Sequence, residues 1–184
     1  MRKSMIFAFG APLALVACGG PQGDDKNEKP AAMTSGRDAG WDATDACKLL
    51  DKAVLGAVLG DAVTETSLAF VHQPTPVEAA TSECTYRLKG GGTATLMARR
   101  SPIADNTPEA IAQARKTTES TMRAFSDKSV EDVPHLGKAA FFVPGINQMN
   151  VFLDDQRFLI LTLGTAPDDR VRDIAADLVR MAAG

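Results

Sequence analysis

The sequence predicts an α+β domain, a mainly antiparallel β-sheet with three helices packed on it, in the order α-β-β-β-α-β-β-β-β-α. Three observations carry this prediction. Side chains alternate strictly in character from Ser82 to Lys89, the mark of a strand with one buried face. Apolar runs between residues 139 and 163 are separated only by turn residues, which leaves room for hairpins and nothing longer. Three other stretches repeat apolar residues at helical spacing, two of them opened by a good capping residue and the third by a weak capping box.

The first helix is expected to run from near Asp45 to Gly60. Thr44 or Asp45 supplies the N-cap, and Gly60 offers the stop. Between them Ala46, Leu49, Leu50, Ala53, Val54, Ala57 and Val58 recur at helical spacing, with Cys47 in the first turn. Residues Val63 to Val71 have the composition of a strand, and Pro74 and Pro76 make the following stretch to Ala80 a loop. In the next strand Ser82, Cys84, Tyr86 and Leu88 share one face, while Glu83, Thr85, Arg87 and Lys89 share the other. Cys84 then points inward, toward the helix that carries Cys47. Gly90-Gly91-Gly92 turns the chain into a partner strand, Thr93 to Arg99, with Ala94, Leu96 and Ala98 on one face. The triple glycine is no phosphate loop, because no Gly-Lys-Ser/Thr follows it and it leads into a strand.

Thr107-Pro108 opens the second helix, with Thr as N-cap and Pro at the first helical position. Ile111, Ala114, Thr118, Met122 and Phe125 mark its buried stripe, and Gln113, Arg115, Lys116 and Glu119 its solvated face. After Ser129 to Val133 comes the second sheet region. Ala139–Val143 turns at Pro144-Gly145, Asn147–Leu153 runs back, and Asp154-Asp155-Gln156 turns again. Arg157–Leu163 is the most apolar strand and is expected at the centre of the sheet. Thr165 is expected to cap the last helix, with Pro167 in its first turn and Asp168 three residues after the cap. Val171, Ile174, Ala175, Leu178, Val179 and Ala182 form its apolar side.

The N-terminus has a different character. Arg2 and Lys3 precede an apolar stretch from Met5 to Ala17, broken only by Gly10 and Pro12. That is the form of a signal-peptide core, too short for the roughly 20 apolar residues a membrane span needs. It ends in Leu15-Val16-Ala17-Cys18, which resembles the bacterial lipobox. The resemblance implies cleavage before Cys18, a diacylglyceryl group on its thiol, and acylation of the new N-terminus. Gly19 follows where an Asp tends to hold Gram-negative lipoproteins at the inner membrane, so the same resemblance implies the outer membrane, facing the periplasm.

Three segments follow from this: a leader over 1–17, a lipidated N-terminus and tether over 18–44, and a globular domain over 45–184. The tether is rich in Gly, Pro, Asp, Ala and Lys, has no apolar period, and is expected to remain flexible. Its 26 residues from Gly19 would span about 28 Å on average. Trp41 is its one aromatic residue, and three readings stay open: docked on the domain, in contact with a partner, or simply exposed. Without Arg2 and Lys3 the chain holds 18 basic and 23 acidic residues, a net charge of −5. That excludes an electrostatic case for nucleic acid or anionic lipid.

With Cys18 assigned to lipid, Cys47 and Cys84 remain, an even pair in an oxidising compartment. They are expected to form a disulfide, with two buried free thiols as the alternative. The only histidines, His72 and His135, lie at no metal-ligand spacing from a cysteine or from each other, so no metal or other cofactor is expected. Neither stands beside a Ser or Cys motif that would complete a catalytic triad. Asp154-Asp155 fall in a turn and Asp168-Asp169 at a helix start, where carboxylates have structural reasons to be. The expected function is therefore a non-catalytic binding module for an envelope protein, a glycan or a small hydrophobic ligand. The alternative is a hydrolase using His72 or His135 with a loop carboxylate.

Residues 132–163, DVPHLGKAAFFVPGINQMNVFLDDQRFLILTL, resemble a segment of small bacterial envelope lipoproteins of unknown function. There a Val-Pro-x-Leu-Gly-x-x-Ala-Phe/Tyr run precedes a Leu/Met-Asn-Val strand and an apolar hairpin. Cys47-Lys48-Leu49-Leu50 through Leu59-Gly60, with Cys84-Thr85-Tyr86, is similar to the same group, in which the two cysteines typically pair. The resemblance covers most of 45–184 and implies an α/β/α sandwich like that of PsbP-type and Mog1-type proteins. His135 stands where that group more often has Gly. The motifs are turn, strand and disulfide, and they imply no catalytic residues.

Overall fold

Seven antiparallel strands form one sheet in the order β1-β2-β3-β7-β6-β5-β4. The structure is a computed structural model that describes residues 40–166 and 169–184. The leader, Cys18 and the tether up to residue 39 lie outside the described residues, as do Pro167 and Asp168. The elements are α1 (Ala46–Leu49), α2 (Lys52–Leu59), β1 (Val63–His72), β2 (Ala80–Leu88), β3 (Thr93–Arg100), α3 (Pro108–Met122), β4 (Glu131–Asp132), β5 (Ala139–Val143), β6 (Gln148–Phe152), β7 (Arg157–Leu163) and α4 (Val171–Ala183). The sheet is two meanders, β1-β2-β3 and β4-β5-β6-β7, joined where β3 pairs with β7. As its apolar composition requires, β7 is the central strand.

Four helices form where three were expected, because the first breaks in two. Leu50 is extended, with φ −133° and ψ 112°, and Asp51 starts a new helix by accepting from the amides of Ala53 at 2.7 Å and Val54 at 3.1 Å. The break drives Leu50 into the core and frees its carbonyl, which accepts the buried Tyr86 hydroxyl at 2.9 Å. At α3 the expected cap forms: Thr107 Oγ1 accepts from the Ala110 amide at 3.2 Å, with Pro108 in the first turn. That helix stops at Met122, so Phe125 lies past its end and is 82% exposed rather than part of a buried stripe. The last helix starts at Val171 after Arg170, and Thr165 is not its cap.

One face of the sheet carries the main core. Tyr86, Leu96, Met149, Val151, Leu159, Leu161 and Leu163 pack there under α1, α2 and α4, against Leu55, Leu178 and Val179. Each such side chain contributes about 1.5–3 kcal/mol by leaving water. Cys47 in α1 and Cys84 in β2 form a disulfide with Cα atoms 5.0 Å apart. Beside it Ser82 Oγ accepts from the Ala46 amide at 2.8 Å and donates to the Ala43 carbonyl at 2.7 Å, so no polar atom is stranded as α1 docks. On the other face α3 covers only one half. Met122, Val130, Phe141, Val143 and Phe152 form a smaller core, which Ile111 and Phe158 border. Arg115, expected on the solvated face of α3, ties the helix to the sheet edge, donating to the Val130 carbonyl at 3.1 Å and pairing with Asp132 at 2.9 Å.

Candidate functional site

The residues singled out from the sequence do not converge. Trp41 is 7% exposed in the main core, its Nε1 donating to the Ala182 carbonyl at 3.1 Å, with the Arg157 guanidinium 5.5 Å from its ring. Of its three readings the docked one holds. A ring buried in its own domain is not offered to a partner, and packed structure reaches back to Trp41 and Ala43. The reason is indole chemistry: a large apolar ring with one donor finds both a core and an acceptor at the end of α4.

His72 closes β1, and its Nε2 lies 3.7 Å from Glu78 Oε2. Thr75 Oγ1 donates to the same carboxylate oxygen at 3.1 Å. The acid therefore stands between hydroxyl and imidazole, whereas a nucleophilic triad needs the imidazole in the middle. His135 lies in the β4–β5 loop with φ 60°, the left-handed region that favours glycine. Gly137, two residues on, has φ 64°, and a Cβ there would fall 2.5 Å from the Phe152 carbonyl oxygen. The strands β1 and β4 form opposite edges of the sheet, six spacings or about 29 Å apart, so the two histidines cannot act together.

Of the paired carboxylates, Asp154 and Asp155 are both engaged by the fold. Burial pushes the Asp154 carboxyl up, but bonds from the Gln156 amide (2.8 Å) and from the Arg157 side chain (2.6 Å) and amide (2.7 Å) outweigh it. Its pKa falls below the ordinary aspartate value. Asp155 pairs with Lys138, and Asp169 is exposed ahead of α4. Among the described residues no group of three His, Cys, Asp or Glu side chains is placed to hold a metal ion, and no helix is long and apolar enough to cross a membrane.

What the fold does bring together is a polar row on the half of the sheet that α3 leaves open. The registers align Ser67 with Thr85, Thr85 with Thr95, Thr95 with Thr162, and Thr162 with Gln148, across five strands. The next row on the same face is Ala69, Glu83, Met97 and Ile160, and it ends on the buried Asn150. Gln148 Nε2 donates to Thr162 Oγ1 at 3.3 Å, and Asn150 Nδ2 to Gln148 Oε1 at 3.3 Å. Hydroxyls repeated at the strand spacing of about 4.8 Å both donate and accept, and Met97 and Ile160 add an apolar strip beside them. Such a surface can hold an extended polar chain. Sequence alternation placed Thr85 on the outward face of its strand, but only the strand order lines it up with Thr162 and Gln148.

No family model matches the chain, and no curated protein or solved structure matches it either.

Proposed function

We propose that this chain is a lipid-anchored protein of the bacterial envelope whose domain is a non-catalytic binding module. The observation that carries the reading is Leu15-Val16-Ala17-Cys18 at the end of a signal-type apolar stretch. Two or three acyl chains on Cys18, at about 0.8 kcal/mol per buried CH₂, anchor stably where one chain binds only reversibly. The disulfide between Cys47 and Cys84 supports an oxidising compartment. The PsbP/Mog1-like resemblance enters only as a reading of the fold and adds no ligand. The open row from Ser67 to Gln148 is the surface on which an envelope protein or a glycan strand would lie.

The test is Cys18→Ser. Labelling by radioactive palmitate is lost and the protein leaves the membrane fraction; an unchanged membrane fraction refutes the anchor. A photo-crosslinking residue at Thr95 captures a partner in intact cells, while the same residue at Lys116 on α3 captures none. The hydrolase alternative has a loop carboxylate, Glu78, 3.7 Å from His72, but in an order that does not make a triad. Full biological effect in a His72→Ala, His135→Ala double variant removes it.

A further inference from the structure

The chain enters the domain at one end of the sheet. Trp41 sits against Arg157, the first residue of β7, and against Ala182 near the end of α4. Register places Arg157 beside Arg100, and Arg100 beside Ala80, so β2 starts and β3 stops at this same end. His72 pairs with Thr81, which brings the close of β1 there too. Nine large apolar side chains are exposed among the described residues, and five lie at this end: Phe70 (79%), Val71, Val77 (86%), Ile103 and Met181. Phe125 and Ile146 lie at the opposite end, and only Leu68 and Val54 fall elsewhere.

We infer that this end of the sheet rests on the lipid surface, with Phe70, Val71, Val77 and Ile103 in the headgroup–acyl boundary. The inference rests on the Cys18 anchor reading, and it fixes the orientation that reading leaves open. The two outermost tips are built structures. Thr75 Oγ1 accepts from the amides of Val77 and Glu78 at 3.3 and 3.0 Å, and Thr75 N donates to the Glu78 carbonyl at 3.2 Å, which holds Val77 out in solvent. Ser101 Oγ accepts from the Ile103 amide at 3.3 Å and does the same for Ile103. β1 and β3 stand two strand spacings apart, about 10 Å, so the tips make one patch.

Most charge at this end is compensated locally, with Asp105 on Arg99, Asp154 on Arg157, Asp155 on Lys138 and Glu78 beside His72, which leaves Arg100, among the described residues, as the cation there with no carboxylate on it. That favours apolar insertion over attraction to anionic headgroups. The chain outside the described residues decides the occupant. It runs from Cys18 to Trp41, where the domain begins at this same end of the sheet, so an acylated Cys18 keeps that end within reach of the bilayer. At that effective concentration a patch too weak to hold a free domain is sufficient. The open row from Ser67 to Gln148 lies on a sheet face rather than at this end, and stays accessible.

The full lipidated chain in vesicles of phosphatidylethanolamine and phosphatidylglycerol with brominated acyl chains tests this. Its single tryptophan, the buried Trp41, sets the baseline fluorescence. Phe70→Trp and Ile103→Trp are expected to be quenched roughly two-fold or more beyond Phe125→Trp and Ile146→Trp, because a ring in the interface sits several Å into the boundary. The difference should persist as salt is raised. Flotation with the vesicles reads the anchor separately. Protein that floats without differential quenching overturns the docking and leaves the anchor standing, whereas protein that fails to float overturns both. Phe70→Trp shielded from iodide without bromolipid quenching means a second copy covers the patch, and that also overturns the docking.

Discussion

The two faces of the sheet differ in what they bury and in how they are fastened. Under α1, α2 and α4 the core is continuous across β2, β3, β7 and β6, and a disulfide and the Ser82 and Tyr86 hydroxyls fasten it to α1 and the loop after it. Under α3 five buried residues suffice, and past Phe158 the face opens into threonines. One layer carries the stability, which leaves part of the other free to be polar. A sheet can spare one face in this way because antiparallel pairing satisfies its backbone without a second covering layer.

Breaking that contrast should cost most at the cross-link. Replacing Cys47 and Cys84 together by alanine is expected to lose about 4 kcal/mol of stability, from the freed entropy of a loop of 37 residues' separation. Urea unfolding of the double variant measures it, and a loss below about 1 kcal/mol would show that packing alone holds that face. Phe152→Ala is expected to cost about 3 kcal/mol, as the ring tilted against Phe158, with centroids 4.5 Å apart, leaves a cavity. Hydrogen exchange should then rise in α3 while α4 keeps its protection; equal loss in both helices would mean the faces are one cooperative unit.

Tyr86→Phe removes the donor to the Leu50 carbonyl at the helix break. Burial, with the Asp51 and Asp45 charges behind it, holds that phenol neutral, so the loss is of a neutral hydrogen bond and about 1.5 kcal/mol. Thermal unfolding that leaves Tm unchanged would show that the break between α1 and α2 does not depend on it. Smallest of all, Thr95→Val on the open row should change stability by no more than about 0.5 kcal/mol. A larger loss would assign Thr95 to the fold rather than to a binding surface, and calorimetry distinguishes the two.

Local rules reached some elements and not others. The Thr107-Pro108 start of α3 was legible because a cap and a fixed φ act within four residues. The alternation of β2 was legible because Cys84 and Tyr86 are both fully buried while Arg87 is exposed. The split at Leu50 was not, since Asp51 suits a helix interior poorly but a cap well, and the Tyr86 acceptor that rewards the break lies 36 residues away. The start of α4 failed for a similar reason: Thr165 has the chemistry of a cap, but the helix waits until Val171 reaches the core. For the candidate surface, individual outward threonines were visible and their alignment was not. Register is a relation between strands, and it aligns Thr95 with Thr162, 67 residues further along the chain.

The sequence by itself determined the class of fold and the central place of β7, and made Cys47 with Cys84 the expected pair, which the structure joins. Each depends on the period of apolar residues or on a count, both written along the chain. Only the tertiary structure decided that Trp41 is core, that His72 and His135 sit on opposite edges, and that five exposed apolar side chains gather where the chain enters the domain. Those facts depend on which strand lies beside which, and strand order follows from the packing of all layers at once rather than from any local preference.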